Sequence, residues 1–199
     1  MTNPSPAAPD CCPYLHDLRP AIATRECAYY GHAECMLAAV RKGAAAWNPE
    51  TTLAAATYGH TRCMLEAVRA GAPWHPDTTR VAAANGHTLC MLEAVRAGAH
   101  WHPETTMMAA HNGHVDSMLA AVRAGAPWHP ATTWTAAMAG QLCCLKAAHQ
   151  ICAPWHAQTT RDAASSCRAY CEAHDPAIVG NNDCGCPGAV VRAPRVHRQ

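Results

Sequence analysis

Residues 51–77 read TTLAAATYGHTRCMLEAVRAGAPWHPD, and the same pattern follows at once from Thr78 to Glu104 and again from Thr105 to Ala131. A more divergent copy spans Thr132 to Gln158. Thr-Thr pairs begin at 51, 78, 105, 132 and 159, a constant period, and Trp74, Trp101, Trp128 and Trp155 keep the same beat. Residues 23–50 form an earlier copy, ending in Trp47, with one extra residue between Gly43 and that tryptophan. A partial copy starts at Thr159 and loses the pattern by Asp175. Self-similarity at a fixed period of this length marks a solenoid, in which each unit buries its apolar face only against its neighbours.

Two short helices are predicted within each unit. Pro76 suits the first position of a helix, where its missing N–H would have no intrahelical partner anyway. Asp77 then falls in the first turn, where negative charge suits the helix dipole. That helix continues over residues 78–85, and Gly86 ends it in a left-handed conformation, as Gly59 and Gly113 do in their copies. The second helix runs from about His87 to Ala97 and stops at Gly98; Gly71 and Gly125 are its counterparts. Helices this short are marginal alone and depend on stacking. Thr, Ala, Ala and Gly recur at positions 2, 5, 6 and 9 of the unit and fall on one narrow helical face, where small side chains let backbones approach. In the second helix Cys63, Met64, Ala67 and Val68, and then Cys90, Met91, Ala94 and Val95, form the core stripe.

The chain totals exclude several classes. The net charge of +1 supplies no basic field for nucleic acid or an anionic membrane. No run approaches the roughly 20 apolar residues that span a bilayer. The N-terminal residues lack the basic segment and apolar core of a secretory signal. The thirteen cysteines are odd in number, and Cys35, Cys63, Cys90, Cys144 and Cys171 recur at one repeat position. Buried thiols in a reducing, intracellular compartment fit that pattern better than a disulfide framework. Residues 1–22 are expected to form an N-terminal arm or cap, and residues 176–199 a flexible tail.

The motif Ala82-Ala83-Ala84-Asn85-Gly86-His87, followed by a helix and Gly98-Ala99, resembles the ankyrin repeat. The TPLH tetrapeptide of ordinary ankyrin repeats is missing, and a unit this short leaves no room for their β-hairpin finger. The short unit with Gly-Ala-Pro-Trp, at Gly71–Trp74 and Gly125–Trp128, is closer to the ankyrin-like repeats of giant, pandoravirus-like DNA viruses of amoebae. The resemblance covers about residues 23–175. It implies an all-α solenoid of helix-turn-helix repeats without long fingers: about 23–50, 51–77, 78–104, 105–131, 132–158 and a partial 159–175. It also implies a non-catalytic protein-binding scaffold, acting on host proteins in host cytoplasm or nucleus if the chain is viral. The family places Asp after the tryptophan, where this chain has Asn48, His75, His102, His129 and His156. Asp and Asn are favoured N-caps, so altered capping by histidine is expected there.

Three constellations remain to be placed. The outer face of the first helices is variable and offers Arg80, Met107, His111, Trp134 and Met138 as a strip, with Tyr29 and Tyr58 nearer the start; such residue types are enriched in binding hot spots. Cys167, Cys171 and His174 share a helix face by their i, i+4, i+7 spacing, and Cys184 and Cys186 follow, enough ligands for a tetrahedral zinc site. A zinc-stabilised protein is therefore one alternative reading, although no cofactor is otherwise indicated. His32, His60, His87 and His114 recur one repeat apart, a spacing of about 10 Å that suits packing at a turn rather than a shared ion. Arg69 and Arg96 stand three residues after Glu66 and Glu93, as solvated helical ion pairs would. A second alternative, an adaptor for ubiquitin-ligase machinery as in relatives carrying an F-box, finds no F-box-like stretch in residues 1–22 or 176–199.

Overall fold

The computed structural model describes residues 20–41, 43 and 46–175, all of it helix, turn or irregular chain. The expected arm (1–22, but for its last residues) and tail (176–199) lie outside the described residues. The first helices of the successive units are α1 (Pro20–Tyr29), α3 (Pro49–Thr57), α5 (Thr78–Ala84), α7 (Thr105–His111) and α9 (Thr132–Met138). The second helices are α2 (Ala33–Arg41), α4 (Thr61–Arg69), α6 (Thr88–Arg96), α8 (Val115–Arg123) and α10 (Leu142–Gln150), and α11 (Ser165–His174) closes the series. Each first helix packs on its own second helix and on the next first helix, and each second helix packs on the next second helix. The chain is thus a two-layer all-α stack.

Small side chains set the spacing of the first layer. Ala55, Ala56, Ala82, Ala83, Ala109 and Ala110 are fully buried, as are both threonines of each Thr-Thr pair from Thr51 to Thr133. In the second layer Met36, Met64, Met91, Met118 and Leu145 are fully buried behind the column Cys63, Cys90, Ser117 and Cys144. The valines expected in that stripe are only half-buried. Each methionine contributes on the order of 1.5–3 kcal/mol by leaving water.

The unit is closed by one buried hydroxyl. Thr106 Oγ1 accepts the His129 N–H at 3.0 Å and lies 3.3 Å from the Pro127 carbonyl, to which it can donate. Thr52, Thr79 and Thr133 make the same two bonds in their own units. The other threonine of the pair touches the hydroxyl of the preceding unit in Thr51 with Thr24, Thr105 with Thr79, Thr132 with Thr106 and Thr159 with Thr133.

Helix starts differ slightly from expectation. Pro49 does open α3, behind Asn48, whose Oδ1 accepts the Glu50 N–H at 3.0 Å. In the next units Pro76 and Asp77 form a separate turn, closed by the Thr78 N–H on the His75 carbonyl, and the α-helix begins at Thr78. Histidine caps this turn much as Asn48 does: His75, His102, His129 and His156 accept the N–H two residues on through Nδ1, at 3.1–3.2 Å. The ring is therefore an acceptor at Nδ1 and carries its proton on Nε2, which in His102 lies 3.4 Å from Asp77 of the preceding unit.

The last unit slips. Successive N-caps His60, His87, His114 and Gln141 keep the period of the sequence, but Ala164 follows Gln141 four positions too soon. The first helix of this unit is reduced to turns over residues 157–162, and the Ala164 N–H bonds the Ala137 carbonyl. Counting from the N-cap, Cys167 takes the place of Cys90, and Cys171 that of Ala94. Cys171 therefore does not continue the cysteine column as the spacing predicted. Thr160, in place of a closing loop, bonds the buried carboxylate of Asp175.

Two kinds of glycine end the helices. Gly86 has φ +75°, and a Cβ there would sit 2.7 Å from Nδ1 of His114 in the next unit; Gly59 meets His87 in the same way. Gly71 has φ +97° and open space around it. We expect Gly71→Ala to cost about 1–2 kcal/mol, the left-handed penalty alone. Gly86→Ala should cost about 2 kcal/mol more, since a rigid ring must also move. Urea midpoints of the two variants check this, and equal losses would refute the steric coupling. Cys152 occupies the Gly71 position at φ +53°, the one non-glycine residue with positive φ among the described residues. Cys152→Gly should raise stability by about 1 kcal/mol; an unchanged midpoint would contradict it.

Candidate functional site

The predicted strip does not form an open face. Arg80 is half-buried, with Nε 3.0 Å from Oδ1 of Asp77, which also faces His102. This pairing, chiefly the Arg80 hydrogen bond, holds the Asp77 carboxyl below its ordinary range. Trp134 donates Nε1–H to Oδ2 of Asp162 at 3.1 Å and lies 5.8 Å from the His156 ring. Met107 and His111 are half-buried, and of the strip only Met138 is well exposed, at 43%. Position 3 of the unit sits beside the bends, so Arg80 and Trp134 serve packing between units.

The structure instead gathers the tyrosines. Tyr29 and Tyr58, at the C-terminal ends of α1 and α3, have ring centroids 4.2 Å apart. Tyr30 meets Tyr29 edge-on at 4.8 Å and lies 6.2 Å from His32. All three remain open to solvent, Tyr29 at 38%, Tyr30 at 62% and Tyr58 at 45%. The neighbouring Tyr29 hydroxyl pushes the Tyr58 phenol up, and the charge of Arg25 opposes it. The helix repeat explains the juxtaposition: positions 7 and 8 end the first helix and point past the small-residue face. The ring-to-ring contact links Tyr29 of one unit to Tyr58 of the next, across different positions of the unit. A column-by-column reading of the sequence hides such a diagonal pair.

The other exposed large apolar side chains among the described residues are Leu89, Met138 and Ile151. Leu89, 65% exposed on the first turn of α6, was not singled out in the sequence because Arg62, Asp116 and Cys143 hold the same position elsewhere. A second aromatic group lies at the far end of the stack. Tyr170 of α11 bonds His149 Nδ1 through its hydroxyl at 2.7 Å, stacks on His174 and lies under Lys146 Nζ.

The candidate zinc ligands separate. Cys167 and Cys171 are fully buried among core side chains, whereas His174 is exposed with Nδ1 on the Tyr170 carbonyl at 2.9 Å. Cys184 and Cys186 lie outside the described residues. Among the described residues no group of three or more His, Cys, Asp or Glu side chains is placed to hold a metal ion. Burial pushes the Cys171 and Cys167 thiols up, which opposes the thiolate that zinc requires. His60 and His87 reach back to the preceding unit, with Nε2 3.1 Å from the carbonyls of Tyr29 and Thr57.

The tryptophans are linkers. Trp47 donates Nε1–H to the Ala70 carbonyl of the next unit at 2.8 Å, and the rings of Trp47, Trp74, Trp101, Trp128 and Trp155 pack half-buried against the core. Trp128 and Trp155 bury Nε1 without a protein partner. Arg69 pairs with Glu66 at 2.7 Å, and Arg96 with Glu93, on solvated faces as predicted. No described helix is long and apolar enough to cross a membrane. A search against protein-family models finds no match for the chain, and a search of curated proteins finds none either.

Burial pushes Cys63, Cys90 and Cys144 up from an ordinary 9.0 to about 11, like Cys171. A thiol that holds its proton more tightly in the folded chain stabilises the fold fully below pH 9, and that contribution is lost as pH rises toward 11. Urea midpoints in the presence of reductant should hold level through neutral pH and fall between about pH 9 and 11. The fall should be shallower in Cys63→Ala/Cys90→Ala; parallel curves would remove the thiols as its cause.

Proposed function

We propose that the chain is a non-catalytic, ankyrin-like repeat scaffold that binds a protein partner through the exposed tyrosine face at its N-terminal end. The observation that carries this reading is the mutual contact of three exposed tyrosines, Tyr29, Tyr30 and Tyr58, on the first-helix layer. Tyrosine offers a large amphipathic surface with few rotatable bonds, so docking it loses little entropy. A stack held by backbone and hydroxyl bonds presents the face already ordered, which favours rigid docking.

The resemblance to repeats of amoebal giant viruses makes a host protein the partner of first choice. Tyr30→Ala/Tyr58→Ala should weaken retention of a protein captured from amoebal lysate at least about tenfold, a loss of about 1.4 kcal/mol or more. The variant must match the wild type in helical circular dichroism. Equal retention by both proteins would remove the tyrosine face from the reading.

A further inference from the structure

The tyrosine face has a candidate occupant in its own chain. We propose that residues 4–10, Pro-Ser-Pro-Ala-Ala-Pro-Asp, dock on this face, with prolines against the rings of Tyr29, Tyr30 and Tyr58 and Asp10 against Arg25. These residues lie outside the described ones.

The chemistry matches. Proline has a fixed φ and a flat apolar ring, so a proline-rich segment packs on aromatic side chains with little further ordering; this is how aromatic grooves take such peptides. The charge matches as well. Arg25 is exposed, acts by charge on the Tyr58 phenol, and enters no ion pair among the described residues. Asp10 follows Pro9 directly and supplies the opposite sign.

The reach is sufficient. Tyr29 lies nine residues along α1 from Pro20, about 14 Å at the helical rise. The eleven residues from Pro9 to Pro20 span up to about 36 Å when extended. Tethering at that length gives an effective concentration in the millimolar range, enough for a weak contact to be occupied. Residues 176–199 are a poorer occupant. They join the stack beyond α11, at its other end, and carry Arg192, Arg195 and Arg198 against a single Asp183, the wrong sign for Arg25.

A separate partner for the face would then have to displace residues 4–10, so they would set its apparent affinity; only this consequence rests on the proposed function. The test uses the full chain with 3-fluorotyrosine at its five tyrosines, assigned by single Tyr→Phe changes. The variant Pro4→Ser/Pro6→Ser/Pro9→Ser replaces no residue of the described stack, whose own packing contacts are therefore kept. The proposal expects the fluorine resonances of Tyr29, Tyr30 and Tyr58 to shift in this variant and to become more accessible to a soluble paramagnetic agent, with Tyr170 unmoved. Asp10→Lys should give the same changes to a smaller degree. Identical spectra and accessibility overturn the proposal and leave the face to a separate partner. Wild-type shifts that depend on protein concentration assign the face to a second copy and overturn it equally. Because no partner is present, failure here is distinct from failure of the capture experiment.

Discussion

A buried threonine hydroxyl at the second position of four successive units, Thr52, Thr79, Thr106 and Thr133, is the constraint on which the stack depends. It accepts the N–H of the residue after the tryptophan and faces a carbonyl two residues before that N–H. One hydroxyl thereby satisfies two backbone groups of a loop that would otherwise be buried with unmet polar atoms, at about 1–3 kcal/mol each. Serine could offer the same oxygen, but threonine's methyl also fills space at a position with no exposure. The loop is thus pinned to the start of its own first helix, which fixes where the next unit begins. The hydroxyl of the following unit then touches the first, so local closure and propagation share one site.

Histidine serves the same geometry in two ways. After the tryptophan, Nδ1 caps the turn into the next first helix, the task that Asn48 performs with its amide oxygen. Because Nδ1 accepts, the proton sits on Nε2 and faces the carboxylate of the preceding unit in His75 and His102. At the turn between helices, the ring lies against a glycine of the preceding unit, and in His60 and His87 Nε2 reaches a carbonyl there. The first column therefore meets its neighbour at a carboxylate, and the second at backbone groups. Hydrogen bonding and packing alone explain why histidine recurs at these two positions.

The fold was legible because the period is strict: one short unit repeated with small residues at fixed places leaves few ways to stack. Helix limits came within a few residues, since Gly86 and Gly98 stop helices for reasons visible in their type. Three features were not legible. Arg80 and Trp134 were expected to face a partner, but Asp77 and Asp162 hold them; the Trp134 contact crosses a unit boundary that a repeat alignment does not connect. Cys171 keeps numerical register with Cys144 although four residues have been lost before it. The count from Thr159 conceals the slip; only the N-cap at Ala164 reveals it. The three described residues of the candidate zinc set part for a related reason: i, i+4, i+7 spacing describes a stripe, but the stack buries Cys167 and Cys171 while His174 reaches the helix end and the surface.

The same reasoning indicates where a repeat protein can afford to differ from itself. At position 8 of the unit the chain holds Tyr30, Tyr58, Asn85, Asn112 and Ala139. Asn85 and Asn112 turn their amides back on carbonyls of the stack, at Val81 and Ala84. They are consumed in finishing helix ends. Tyr58 ends its helix with backbone bonds alone, and its ring contact is with Tyr29 rather than with a carbonyl. Covering such rings leaves every hydrogen bond of the stack in place. At the described N-terminal end of the first-helix layer, Tyr29, Tyr30 and Tyr58 thus add exposed apolar surface that the stack's hydrogen bonds do not require.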